Sequence, residues 1–440
     1  MDRVEDLAQR VALSPAARIA VIGAGYAGMA AAVELAAGGA RVTVFEAAPG
    51  PGGRARRVVS RGQALDNGQH ILVGAYRELL ALMRRVGADP ERSLLRLPLE
   101  LRYARGFRLR APRLRAPMHL AAALLSARGL PWRERLRAMR FMRAMRRAGF
   151  RLASDETVSA LLARHAQDGI AARYLWGPLC VAALNTLPQQ ASANAFLAVL
   201  RDSLGGARAA SDLLLPRVDL SSLFPEPAGR YVAARGSEVL TGRRVRGVAR
   251  DGDAFRVEGA RFERVVLACA PYQLAALASA LPELAPLLRA ADRYTYQPIY
   301  TCYLQYPQAV QLPAPMLGLD GGLVQWAFDR GTLTGERGRI ACVISAQGDH
   351  QQMAHGELAG RCHQELARAL GGLPAPLWSR VIAEKRATVA TLPGVPRPGP
   401  ETPLAGLYLA GDYTDPEYPP TLEAAVRSGL RAAACALRSV

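Results

Sequence analysis

The stretch Arg18-Ile19-Ala20-Val21-Ile22-Gly23-Ala24-Gly25-Tyr26-Ala27-Gly28 decides the fold. A short apolar run ends in glycines spaced G-x-G-x-x-G, and an alanine-rich segment from Ala27 to Ala37 follows. The apolar run predicts a buried parallel strand. The alanine-rich segment predicts a helix, stopped by Gly38 and Gly39. Arg41-Val-Thr-Val-Phe45 predicts a second strand, closed by Glu46. Strand, glycine turn, helix and strand make the βαβ unit that binds dinucleotides. Gly23 permits the tight turn, Gly25 lets the backbone approach a pyrophosphate, and Gly28 lets helix and strand pack closely. The helix N-terminus offers amides and a positive dipole end to the phosphates. A carboxylate at Glu46 suits ribose hydroxyls.

NAD and FAD share this fingerprint, so further signals must separate them. Gly52-Gly53-Arg54 follows Glu46 closely, and Arg54 suits pyrophosphate oxygens. Near the other end, Leu409-Ala-Gly-Asp412 predicts a strand end, and Thr421-Leu-Glu-Ala-Ala-Val-Arg-Ser-Gly429 a helix. Asp412, beside Gly411, suits ribityl hydroxyls. A helix opening at Thr421 and Leu422 aims amides at the flavin edge where negative charge develops on reduction. The expected cofactor is therefore FAD.

Strands are also expected at Arg264 to Ala268 and Gly406 to Ala410, with a helix from about Thr421 to Leu437. Residues 81–214 are expected to be mostly helical. Tyr294 to Ile344 is expected to be strand-rich, as in Tyr300-Thr-Cys-Tyr-Leu-Gln-Tyr306. One sheet thus draws strands from both ends and the middle of the chain. The fold class is α/β: a discontinuous Rossmann-type FAD-binding domain (17–80, 225–275 and 385–440), with an α+β substrate domain (81–224 and 276–384) inserted.

The 440 residues are half hydrophobic and 21% charged, a globular balance. No apolar run reaches the ~18 residues of a spanning helix. Asp2, Glu5 and Asp6 in the segment Met1 to Ala17 are unlike a secretory leader. Six cysteines form no CxxC pair, so reduced thiols and no metal site are expected. The net charge of +19 allows nucleic acid or anionic membrane as partners. Lys385 is the only lysine, and no nucleic-acid motif appears, so no nucleic acid is expected. Arginines concentrate between Arg133 and Arg151, interleaved with Leu130, Trp132, Leu136, Met139, Phe141, Met142, Met145 and Phe150. That pattern reads either as an interfacial membrane helix or as a surface helix with its stripe in the core.

The three flavin-directed segments resemble the family of amine oxidases and carotenoid or phytoene desaturases. The resemblance puts the family's glycine loop and acid on Gly23, Gly25, Gly28 and Glu46, and its GGR on Gly52, Gly53 and Arg54. Its C-terminal GD falls on Gly411 and Asp412, and its adenine-contacting strand valine on Val245. Arg57 stands where the family has a small hydroxyl residue, and Ala48 where it often has arginine. Four stretches resemble one branch, the hydroxysqualene dehydroxylases of bacterial squalene and hopanoid synthesis: Leu65 to Ile71, Trp176 to Thr186, Leu197 to Ser203, and Leu215 to Pro225.

That resemblance implies reductive removal of an allylic hydroxyl from an isoprenoid, hydroxysqualene. It implies a proton donor, an apolar tunnel and exclusion of water. The loop from Asp66 to His70, with Gly68, is then expected near the flavin. His70 is the first candidate acid, followed by Asp66 and Glu423, and Asn185 is a candidate either to cap its helix or to bond substrate. Tyr296, Tyr300 and Tyr303 are either pocket or core residues. A lipid-soluble substrate implies peripheral contact of Leu130 to Arg151 with the inner face of the membrane, in the cytoplasm, and supply by squalene-pathway synthases. Three other readings stay open: a carotenoid-type desaturase oxidising an isoprenoid, an amine oxidase, and a non-catalytic prenyl-lipid binder.

Overall fold

A computed structural model describes residues 17–438. The leader reading at Met1 to Ala17 falls, but for its last residue, outside the described residues. Five parallel strands form one sheet, in the spatial order Glu238–Leu240, Arg41–Phe45, Arg18–Ile22, Arg264–Leu267 and Leu407–Leu409. Ile19 pairs with Val42 on one side and Arg264 on the other. The central strands are buried on both faces, as their unbroken apolar runs require. The edge strand Glu238–Leu240 was not anticipated; its three residues carry no alternation to reveal it.

The helix Tyr26–Ala37 lies against the C-terminal helix Leu422–Arg438. A Cβ on Gly429 would sit 2.1 Å from the Ala27 carbonyl oxygen, so this crossing requires glycine. The two ends of the chain therefore pack as one layer on the sheet.

A second, antiparallel sheet runs Met316–Gly318, Trp326–Asp329, Arg339–Ser345, Tyr296–Gln305, Trp378–Val389. Period-2 alternation divides its faces. Tyr300, Cys302 and Leu304 pack under the helix His355–Leu370, while Tyr303, Trp326, Phe328 and Val343 face the helical region. The strand Trp378–Val389 runs unbroken through residue 385, so the crossing between the sheets falls after Val389.

Residues 81–214 are less helical than their periodicity suggests. The strands Leu94–Leu97, Glu100–Arg102, Arg108–Arg110 and Leu213–Pro216 interrupt the helices. Leu213–Pro216 pairs with Leu94–Leu97 and with Leu72–Val73, partners too distant in sequence for local pattern to show. The arginine-rich segment is a helix, Trp132–Arg147, but Ala138, Phe141 and Met145 point inward, with Phe141 edge-on to Trp176 at 5.1 Å. The apolar stripe considered for a membrane is thus part of the core. No helix among the described residues is long and apolar enough to cross a membrane.

Two carboxylates named as candidate acids hold this architecture together. Asp66 is 2% exposed; its Oδ1 accepts from the Leu220 amide at 2.9 Å and its Oδ2 lies 3.4 Å from Arg330. Burial pushes its carboxyl up to about 6, against the pull of Arg330 and of the Leu220 amide. Glu423 is fully buried and accepts from the amides of Glu78 and Leu79 at 3.1 and 3.0 Å, and from Arg427 at 3.1 Å. It satisfies first-turn amides of the helix Arg77–Arg85, which have no acceptor within that helix. Neither side chain reaches the large cavity described below, which corrects the catalytic reading of both.

A folded-state pKa above the usual carboxylate value means stability present at low pH is lost as pH rises through about 6. Relative to Asp66→Asn, the native protein should lose about 2–3 kcal/mol between about pH 4 and pH 7. Denaturant unfolding across that range measures it, and a constant difference would refute it. Glu423→Ala should cost about 2–4 kcal/mol by stranding buried amides and Arg427; an unchanged unfolding midpoint would show that this cap is dispensable.

Candidate functional site

A cavity of about 850 Å³ runs between the two sheets, within the usual range for ligand sites. Its walls are built first by the glycine turn. Gly23 has φ +111°, and a Cβ there would lie 2.5 Å from the Ala268 carbonyl oxygen. A Cβ on Gly28 would lie 1.9 Å from the Gly23 carbonyl oxygen. Protein packing fixes both. Gly25 is different: a Cβ would find nothing closer than Gly53 Cα at 3.7 Å. Its bareness serves the cavity, leaving backbone open where a pyrophosphate would lie. The leading amides of the helix Tyr26–Ala37 start here.

Glu46 sits on the wall, with Oε2 accepting from the Ala24 amide at 2.8 Å and Oε1 from the Ala48 amide at 2.7 Å. Each oxygen keeps acceptor capacity for a ribose hydroxyl. Ala48 thus contributes its backbone where the resembled family often has an arginine side chain. Gly52 and Gly53 bring their loop against the turn, with the Gly52 amide donating to Ala24 at 2.8 Å. Arg57 points away, into an ion-pair cluster with Asp219 and Glu226 at 2.8 and 2.6 Å. Val245 lines the cavity from an extended segment between two strands, not from within a strand. Arg244 beside it is a further cation on the wall that motif reading did not single out.

The C-terminal segment closes the opposite side. The Gly411 amide donates to Ser428 at 2.8 Å, and Thr421 Oγ1 accepts from the Ala424 amide at 3.1 Å. Thr421 and Leu422 both reach the cavity. Arg54 differs from expectation: it donates to Asp412 at 2.7 Å and to the Ala387 carbonyl at 2.6 Å. Its guanidinium therefore ties the amino-terminal loop to the C-terminal motif, with donors left over for a phosphate.

These features fit FAD. An open backbone at Gly25, a helix N-terminus, the Glu46 carboxylate, and Asp412 with the start of the C-terminal helix all line a single cavity.

Beyond them the loop Asn67-Gly68-Gln69-His70-Ile71 enters the wall. His70 Nδ1 lies 3.3 Å from the Gly68 carbonyl. Burial, with Arg54 adding to it, pushes the His70 pKa below its ordinary value, so the ring is neutral at pH 7. Asn185 also lines the cavity, but its amide is consumed by structure. Its Nδ2 donates to Thr388 at 3.1 Å, and its Oδ1 accepts from the Ala346 amide at 2.8 Å. Its φ of +46° ends the helix Gly177–Leu184, so it is a cap and tie rather than a substrate donor. Tyr296, Tyr300 and Tyr303 are not on the wall; Tyr303 donates to the Asp66 carbonyl at 2.8 Å.

Three carboxylates do line the cavity: Glu46, Asp412 and Glu384. Glu384 escaped the sequence reading. It sits in the strand Trp378–Val389, whose alternation shows nothing unusual, and it accepts from Asn67 Nδ2 at 3.1 Å. Ile71, Val181, Ile299, Trp326, Phe328 and Val343 supply an apolar part of the wall. A smaller cavity of about 230 Å³ adjoins it, sharing Val181, Ala182, Trp326 and Ser345, and reaches Arg173 and Pro178. Among the described residues no cluster of His, Cys, Asp and Glu is placed to hold a metal.

Comparison with known proteins agrees with this geometry. Residues 26–437 match the family described as flavin containing amine oxidoreductase. A hydroxysqualene dehydroxylase of Rhodopseudomonas palustris is 33% identical, over 94% of this chain and 96% of that protein. A protein of Synechococcus elongatus named as a zeta-carotene desaturase is 24% identical, over 96% of this chain and 99% of that one. The solved structure of an oxidoreductase from Methanosarcina mazei superimposes with a TM-score of 0.71 at 16% identity, covering 94% of this chain and 99% of that one, a likeness of fold. The chain belongs to the flavin-containing amine oxidoreductase family and is an FAD-dependent oxidoreductase.

Proposed function

We propose that this enzyme reductively removes the allylic hydroxyl of hydroxysqualene, giving squalene and water. One observation carries the reading: the cavity walled by the flavin-directed residues is also walled by the apolar side chains of Ile71, Val181, Ile299, Trp326 and Phe328. An unbranched polar substrate would gain nothing from such walls, whereas a long isoprenoid is held by them. The hydroxysqualene dehydroxylase of R. palustris supports the substrate, and the desaturase relative supports the isoprenoid class.

When bound, FAD supplies the two-electron redox chemistry. The chain must position the substrate, exclude water and deliver a proton to the departing hydroxyl. On the wall beyond the nucleotide-directed elements, Glu384 and His70 are the carboxyl and imidazole groups that reach the cavity. His70 is held in place by its Nδ1–H, which donates to the Gly68 carbonyl at 3.3 Å and leaves Nε2 as an acceptor. Glu384 is oriented by Asn67. We assign proton delivery to Glu384, with His70 orienting the hydroxyl. The roles of Gly23, Gly25, Gly28, Glu46, Gly52, Gly53, Gly68, Val245, Gly411, Asp412, Thr421 and Leu422 in holding FAD belong to the same proposal. So does the division into an FAD-binding part and an inserted substrate-binding part.

A ~30-carbon apolar substrate partitions into lipid. The proposal therefore places the protein peripherally at the inner face of the membrane, supplied by a synthase that joins prenyl units. The desaturase reading differs in direction of electron flow, and product analysis separates the two. Asp412 and Leu422 on the cavity wall favour turnover over a non-catalytic lipid binder.

Anaerobic incubation of the yellow protein with chemically reduced FAD and hydroxysqualene should yield squalene by gas chromatography and mass spectrometry. Untouched hydroxysqualene with a normal flavin spectrum would overturn the substrate assignment and leave the flavin reading standing. Glu384→Gln should lower kcat by about 10²-fold or more, with flavin still bound. His70→Ala should lower it less, also with flavin retained. Native-like turnover in Glu384→Gln would remove Glu384 from proton delivery.

A further inference from the structure

We infer that the surface around the helix Met118–Leu125 and Trp132 docks on an anionic lipid bilayer. This rests on the proposal that the substrate comes from lipid; of the stretch Leu130 to Arg151 it keeps only the exposed start, Trp132 and Arg133, since Ala138, Phe141 and Met145 of the arginine-rich helix are buried. Large apolar side chains exposed by more than a third are few among the described residues, and Leu114 (45%), Met118 (60%), Leu125 (41%) and Trp132 (57%) all fall within one short stretch. Met118, Ala122 and Leu125 recur at i, i+4 and i+7, so they share one helix face. The opposite face carries His119 and Ala123, both buried, with His119 3.2 Å from Ser211. The helix is therefore seated by one side and presents apolar groups on the other, the reverse of an ordinary surface helix.

The start of the next helix lies alongside. Arg135 donates to the carbonyls of Leu130, at 2.8 Å, and Leu125, which places Leu125 near Trp132. Charge selects the occupant. From Leu101 to Arg133 the sequence has no acidic residue and eight arginines. Arg113, Arg115, Arg128 and Arg133 are exposed, and none forms an ion pair among the described residues. A second copy of this face would set arginine against arginine. An anionic bilayer takes the apolar groups into its interface and the guanidinium groups at its headgroups. Trp132 suits that boundary, with an apolar body and a polar edge.

The patch is also tied to a segment that leads to the smaller cavity. Glu134 accepts from the amides of Ile170 and Ala171 at 3.1 and 2.6 Å, fixing the segment that runs on to Arg173, Gly177 and Pro178. Those last three line the small cavity that shares Val181 and Trp326 with the large one. A bilayer on Trp132 would thus lie next to the segment that lines the small cavity.

The test is co-sedimentation of the flavin-loaded protein with phosphatidylglycerol vesicles and with phosphatidylcholine vesicles. Two multiple variants are compared, Met118→Ser/Leu125→Ser/Trp132→Ser and Arg113→Glu/Arg115→Glu/Arg133→Glu. Binding to phosphatidylglycerol should exceed binding to phosphatidylcholine, and each variant should weaken it by about tenfold or more. The flavin spectrum and turnover of detergent-dispersed hydroxysqualene should stay at the native level in both. Native protein that remains in the supernatant, or variants that sediment like it, would overturn the inference. A dimer on gel filtration that the serine variant abolishes, without vesicle binding, would assign the patch to a second copy instead. Vesicle binding is read without turnover, so failure of the dehydroxylation reading would leave this result interpretable.

Discussion

The crossing of the C-terminal helix over the helix that follows the glycine turn is the contact on which the site depends. Gly429 lets the backbones approach at Ala27, and Gly28 in turn lets that helix lie against Gly23 and Ala268. A side chain at either glycine would push the layers apart by more than a van der Waals gap can absorb. Because the crossing is tight, Asp412, Thr421 and Leu422 face the same cavity as Gly25 and Glu46, which lie hundreds of residues earlier in the chain. The Arg54–Asp412 ion pair and the Gly411–Ser428 hydrogen bond set the register of this closure.

Buried charge divides by what surrounds it. Asp66 and Glu423 look like acids in a flavin enzyme, yet each spends its oxygens on backbone amides and an arginine. A buried carboxylate with those partners is a tie between segments, and it leaves no face for a ligand. Glu384 accepts from the Asn67 side-chain amide and the Arg386 backbone amide, and it borders the cavity. The distinction between a structural and a reactive carboxyl is therefore a matter of whether it borders empty space.

Apolar surface follows the same logic of placement. The stripe of the helix Trp132–Arg147 is absorbed by Trp176 and its neighbours, so its arginines project from a conventional amphipathic helix. A shorter helix beside it, with little charge of its own, keeps its apolar face outward. Inside, the antiparallel sheet turns Ile299, Trp326, Phe328 and Val343 toward the cavity and packs its other face under a helix. One sheet thus supplies both a core and the wall for an apolar substrate.

The nucleotide half of the protein was legible in the chain because its determinants are local. Strand, turn and helix at Arg18 to Ala37, the acid at Glu46 and the C-terminal Gly411-Asp412 each act through backbone shape within a few residues. The four stretches that resemble the hydroxysqualene dehydroxylases likewise carry their resemblance in consecutive residues. What only the tertiary structure decided involves distant partners. Pairing of Leu213–Pro216 with Leu94–Leu97, the spending of Asn185 on Thr388 and Ala346, and the inward turn of Phe141 depend on segments that local pattern does not bring together. Periodicity shows that a helix has two faces, but which face is covered depends on the neighbour it meets, and that neighbour is chosen by packing.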